Sequence, residues 1–91
     1  MKYLYAGSQS NERFELLLSL TRITSDEVVA ALFDHLVKGA PESSAAIMNS
    51  VSMSNFNRAF KKLNKVAASV ERIKEIDWRH IKMPNQLSDN K

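Results

Sequence analysis

From Phe14 onward, apolar side chains recur at three- and four-residue intervals, the period of an amphipathic helix. The first such segment runs roughly over Asn11 to Ser19, with Ser10 or Asn11 placed to cap it. Phe14, Leu17 and Leu18 fall on one of its faces. A second segment opens at Thr24-Ser25-Asp26-Glu27, which reads as a capping box with Thr24 at the N-cap and Glu27 at N3. Its acids also suit the positive end of a helix dipole. Val28, Val29, Leu32, Phe33, Leu36 and Val37 form its apolar face, Lys38 sits in its last turn and Gly39 stops it. Pro41 marks the start of a short third helix, because a missing N–H costs nothing at N1. That helix covers Glu42 to about Asn49, with Ala45, Ala46 and Ile47 or Met48 facing inward. A fourth helix follows the capping residue Ser52. Its stripe of Phe56, Phe60, Leu63, Ala67 and Val70 is spaced four, three, four and three residues apart. The helix is expected to reach about Glu75, and periodicity fades after Trp78.

The pattern therefore predicts an all-α protein, a small helical domain over residues 11–83. Residues 1–10 are expected to be poorly ordered, although Tyr3, Leu4 and Tyr5 are apolar enough to dock on the core. Residues 84–91 are polar and expected to be a disordered tail. The short third helix, the polar turn Asn49-Ser50-Val51-Ser52 and the longer fourth helix have the dimensions of a helix-turn-helix. Ala45 and Ala46 permit a close helix crossing, and Val51 supplies an apolar plug under the junction.

Composition narrows the class. The 91 residues make one domain, and the absence of Cys excludes a disulfide scaffold and thiolate metal ligands. No apolar run approaches the roughly 18 residues of a membrane-spanning helix. The opening Met1-Lys2-Tyr3-Leu4-Tyr5-Ala6-Gly7 is too short an apolar run for a secretory signal, so the expected compartment is the cytoplasm. Net charge is only +3, but it is unevenly spread. Residues 1–50 hold four basic and six acidic side chains, a net −2, whereas residues 51–91 hold nine basic and four acidic, a net +5. Such a split points to one surface for an anionic partner.

The fourth helix carries that charge. At 100° per residue, Arg58, Lys61, Lys62, Lys65 and Arg72 fall opposite the Phe56/Phe60/Leu63/Val70 stripe. In a helix-turn-helix the start of the second helix enters a DNA groove, which selects Ser54, Asn55, Asn57 and Arg58 as candidate contacts. Asn and Arg can bond base edges in pairs, and Ser can donate to phosphates. Lys61, Lys62 and Lys65 suit phosphate neutralisation. The same pattern also describes an ordinary amphipathic helix with a solvated lysine face, serving a small adaptor that binds an acidic protein and no DNA. No cluster of acid, base and nucleophile points to an enzyme, and no Gly-rich phosphate loop or cofactor motif is present. His35 and His80 have no partners at metal-ligand spacing, so His35 is read as structural. Trp78 is read as a lid on the core or a dimer contact.

The chain from Phe14 to about Ile73 resembles the PapB/FocB family of fimbrial adhesin-operon transcriptional regulators. The likeness rests on the order of Phe14-Glu15-Leu16-Leu17-Leu18, Ile23-Thr24-Ser25-Asp26-Glu27-Val28 and Leu36-Val37-Lys38-Gly39. Its most specific piece runs from Val51-Ser52-Met53-Ser54 through Asn55-Phe56-Asn57-Arg58 to Ala59-Phe60-Lys61-Lys62-Leu63-Asn64. The resemblance implies an all-helical, nucleoid-associated regulator that binds A/T-rich double-stranded DNA near adhesin promoters as an oligomer. It also brings a proposed minor-groove mode, which competes with a major-groove role for Asn55 and Arg58. One departure stands out: Glu42, Ser43 and Ser44 occupy positions where relatives often carry basic residues, which speaks against phosphate contact from the third helix. A single module buries only about 600–1,000 Å² on DNA, so a homodimer or higher oligomer is expected. Tyr3, Leu4 and Tyr5, or Ile76, Trp78 and Ile81, are the surplus apolar residues for it.

Overall fold

The structure, a computed structural model, describes residues 2–82; the expected tail at 84–91 lies outside the described residues. It contains α1 (Asn11–Ser19), α2 (Asp26–Leu36), α3 (Glu42–Met48) and α4 (Met53–Lys82), with no strand among the described residues. The protein is all-α, and α3 and α4 form its helix-turn-helix.

Side-chain caps set three of the four helix starts. Ser10 Oγ accepts from the Arg13 N–H (3.1 Å), and Ser52 Oγ accepts from the Asn55 N–H (3.1 Å). In α2 the cap is Ser25, not Thr24, with its Oγ accepting from the Val28 N–H at 3.4 Å. The box is thus displaced by one residue. Glu27 lands at N2 and meets the Ser25 hydroxyl instead of a backbone N–H (3.2 Å). Ser ranks above Thr as an N-cap, in keeping with the observed register. Pro41 occupies the N-cap of α3 rather than N1, and no side chain caps that helix.

The core gathers Phe14 and Leu17 of α1, Ala31, Leu32 and Leu36 of α2, Ala45 and Ala46 of α3, and Phe56, Ala59, Leu63 and Ala67 of α4. Phe14 meets Phe33 edge-on with centroids 5.6 Å apart. His35 is buried as well. Its Nδ1–H donates to the Ala40 carbonyl (2.7 Å), because a carbonyl can only accept, and its ring packs on Phe56 and Phe60. Its role is structural. One of Ile47 and Met48 is expected to face inward, but they are 76% and 63% exposed. In a helix of seven residues the two buried alanines already fill the crossing, which turns the larger side chains outward.

The α3–α4 turn closes on two reverse bonds. The Ser50 N–H donates to Ile47 O (3.1 Å) and the Val51 N–H to Ala46 O (2.8 Å). This is a Schellman motif, and it needs a left-handed residue at Ser50, where φ is +59°. Val51 is buried beneath it, in the plug role expected.

Of the two expectations for the first ten residues, poorly ordered or docked through Tyr3, Leu4 and Tyr5, the structure shows the docked one. Leu4 is 0% exposed. The Tyr3 and Leu4 N–H groups both donate to Asn64 Oδ1 (2.7 and 3.2 Å). Further along, the Gly7 and Gln9 N–H groups donate to the His35 and Leu36 carbonyls, 2.9 and 3.0 Å. Those carbonyls lie at the end of α2, where no helical partner remains, so the arm satisfies orphan acceptors. Gly7 and Gly39 pack backbone to backbone at the crossing, each with positive φ. The segment is a docked arm, not a loose end.

α4 also runs longer than its apolar stripe, to Lys82 rather than about Glu75. Its last tie to α1 is Arg13 Nη2 to Glu71 Oε2 at 3.5 Å. From Arg72 to His80 every residue is exposed, so this half of the helix projects past the core. Trp78, 56% exposed, is therefore not a lid on the core.

Candidate nucleic-acid interface

Phe56, Ala59, Leu63 and Ala67 turn one face of α4 into the core and leave the opposite face in solvent. Ser54, Asn55, Asn57, Arg58, Lys61, Lys62 and Lys65 are all exposed there. At 100° per residue Ser54, Arg58 and Lys65 form the crest of this face. Asn57 and Lys61 lie toward one flank, and Asn55 and Lys62 toward the other. Arg58 Nη1 donates to Asn55 Oδ1 at 3.3 Å, a bond across one turn that aligns the two side chains.

Charge along α4 is partitioned. From Met53 to Val70 the helix carries Arg58, Lys61, Lys62 and Lys65 and no carboxylate; its first acid is Glu71. The positive end of the helix dipole adds to this field at the same end. The surface can attract an anionic polymer over its first three to four turns, and its Asn and Arg side chains offer both donors and acceptors to base edges.

Two clefts flank this ridge. One, of about 470 Å³, is lined by Asn57, Phe60, Lys61, Asn64 and Lys65 of α4 and by Lys2 of the arm. The other, of about 250 Å³, lies between Asn55, Arg58, Ala59 and Lys62 of α4 and the segment Ile23, Thr24, Ser25 and Val28 at the start of α2. The structure thus brings all seven candidates onto one face. It adds Lys2, Asn64, Thr24 and Ser25 beside them, which helical periodicity had not marked. Only Asn64 lies on the same helix; the others arrive by tertiary packing.

On α3, Glu42 lies 3.8 Å from Lys2 Nζ and 3.7 Å from His35 Nε2. Its acidity continues to speak against phosphate contact from this helix. Among the described residues no group of three or more His, Cys, Asp or Glu side chains could hold a metal ion. No helix among them is long and apolar enough to cross a membrane.

Comparison with known proteins gives one family and one solved structure. The family model described as adhesin biosynthesis transcription regulatory protein, PapB, matches residues 1–76. That span includes the docked arm and ends within α4. The crystal structure of FocB from E. coli is similar at a TM-score of 0.77 and 28% sequence identity, covering 82% of this chain and 85% of that one. No curated protein matches.

Proposed function

Because the chain belongs to the PapB family of adhesin biosynthesis transcription regulators, we propose that it binds A/T-rich promoter DNA as an oligomer through the exposed face of α4. The observation that carries the reading is the run from Met53 to Val70, with four cations, no carboxylate and a buried opposite face. Arg58 and Asn55, held together across one turn, are the pair to read bases, with Asn57 and Ser54 beside them. Lys61, Lys62 and Lys65 neutralise phosphates. The A/T preference follows from the family resemblance, and the site of action is the nucleoid, in the cytoplasm.

Assembly is assigned to a second copy of this chain meeting the projecting half of α4. The amino-terminal apolar residues cannot all serve, because Leu4 is spent inside the fold. Beyond the core, Ile73, Ile76 and Trp78 stay exposed, while the Ile81 side chain lies outside the described residues. Ile73 and Ile76 lie about 60° apart on the helix and Trp78 on its other side. An apolar notch of about 120 Å³ between Arg13, Leu16, Leu17, Leu20 and Val70 opens one turn before Ile73 and extends the isoleucine side. Glu71, Glu75 and Asp77 alternate with Arg72, Lys74 and Arg79 around it. Equal numbers of both signs suit a helix that meets its own copy. About three turns of helix with no core beneath them draw only weak support from the Arg72–Glu75 and Lys74–Glu71 pairs, and packing on a second copy supplies more.

The test is binding to an A/T-rich promoter fragment, titrated with salt and with unrelated competitor DNA. Each phosphate contact weakens affinity about 3.5-fold between 50 and 200 mM salt, from a slope near 0.9 per contact. Replacing Lys61, Lys62 and Lys65 together by Ala should shrink that attenuation by about 40-fold. An unchanged slope in the triple variant would move the interface elsewhere. No salt-dependent DNA affinity in the intact protein would favour the acidic-protein adaptor.

A further inference from the structure

We propose that the amino-terminal arm is the second wall of the DNA interface, with Lys2 as a phosphate-binding residue and Asn64 as the residue that positions it. The inference deepens the DNA-binding reading and rests on it. Its starting point is the larger cleft beside α4, where Lys2 faces Lys61 and Lys65 across a floor of Phe60 and Asn64. Three ammonium groups line this cleft and no carboxylate does. Asn57, Lys61 and Lys65 follow at four-residue intervals, so one wall is a single helical ridge about 12 Å long. A phosphodiester strand laid along the ridge meets cations from both sides.

The opposite wall is held in place. Asn64 Oδ1 takes the N–H groups of both Tyr3 and Leu4, the two residues next to Lys2. The Tyr5 hydroxyl donates to the Lys2 carbonyl (2.8 Å), and buried Leu4 anchors the segment. The backbone of Lys2 is therefore fixed, while its side chain stays exposed. Its ammonium rests 5.5 Å from the Phe60 ring centroid and 3.8 Å from Glu42 Oε2. Exposed contacts of this kind are weak, so a phosphate can displace them. With the backbone held, only the exchangeable tip of one side chain has to be ordered on binding, which is what a phosphate clamp needs.

The experiment compares full-length variants by salt-titrated binding to the promoter fragment. Lys2→Ala should reduce the attenuation between 50 and 200 mM salt by about 3.5-fold, the share of one phosphate contact. Lys2→Arg should keep the original value. Asn64→Ala should reproduce the Lys2→Ala effect and speed hydrogen exchange at the Tyr3 and Leu4 amides, and adding Lys2→Ala to it should cost nothing more. If Asn64→Ala fails to fold, the Lys2 pair decides alone. A normal slope in Lys2→Ala, with a reduced one in Lys61→Ala and Lys65→Ala, overturns the clamp and leaves the α4 interface standing. Unchanged binding in all three lysine variants defeats the α4 interface and the clamp with it.

Discussion

Leu4→Ala tests whether the arm belongs to the fold. Leu4 has no exposed surface, and it is one of the five largest side chains buried completely. Truncation to Ala in such a site costs about 2–5 kcal/mol, with the value set by how far the surroundings collapse. Collapse is restricted here. The backbone is pinned before the side chain by Asn64 and after it by the Gly7 and Gln9 bonds to α2. The cost should therefore lie in the upper part of that range, about 3–5 kcal/mol. A chain of this length has roughly 5–13 kcal/mol of stability in all. At about 4–8 °C per kcal/mol, a loss of 3 kcal/mol lowers Tm by about 12–24 °C. The assay is urea unfolding followed by far-UV circular dichroism, at a protein concentration held constant because assembly shifts apparent stability. The midpoint should fall with an unchanged slope. A change below about 0.5 kcal/mol, the scale of a surface substitution, would refute the docked arm. Deletion of residues 2–9 should go further and abolish cooperative unfolding. The sequence offers Tyr3, Leu4 and Tyr5 as surplus for assembly, and the burial of Leu4 commits that residue to the fold instead.

Three further outcomes test other parts of the structure. Ser50→Gly should stabilise the protein by about 0.5–1 kcal/mol, since Ser50 holds a left-handed conformation that costs a side-chain-bearing residue about 1–2 kcal/mol; a lower Tm would mean that the turn is built differently. Arg58→Ala or Asn55→Ala should cost about 1–3 kcal/mol at a cognate site and less on random DNA. Equal losses on both would make them phosphate contacts. Ile73→Glu combined with Trp78→Ala should move the sedimenting species toward monomer at micromolar concentration while leaving the melt of the four-helix core intact. A wild-type that already sediments as a monomer, both free and on multi-site DNA, would remove the assembly surface.

The limits of the sequence reading follow from which forces are local. The four helices were legible because each buries a face whose residues lie three or four apart, and the α4 stripe from Phe56 to Val70 is the clearest case. The exposure of the seven candidate residues was legible for the same reason: they are what that stripe leaves in solvent. The arm was not. Leu4 is buried by residues some sixty positions away, and the Asn64 amide that holds it looks like any polar surface residue in a linear pattern. Lys2 was hidden with it. The extent of α4 was misread for a different reason. A fading stripe does not end a helix, and no Gly or Pro interrupts the chain between Val51 and Met83. A helix ends where its backbone is broken, whereas its apolar stripe ends where the core ends. The residues from Arg72 to Lys82 fall between those two limits, which gives α4 a cationic half over the core and a mixed-charge half beyond it. One continuous helix thereby ties the spacing of the proposed DNA contacts to the geometry of the proposed assembly. Moving one half relative to the other needs only a break in the helix between them, so Lys74→Pro, which removes the bond from residue 74 to the carbonyl of residue 70, should separate DNA affinity from oligomer formation. At about 3 kcal/mol for a proline within a helix, the substitution stays within the stability available to the core. Retained single-site binding with lost cooperativity on multi-site DNA is the expected result, and unchanged cooperativity would show that the two halves act independently.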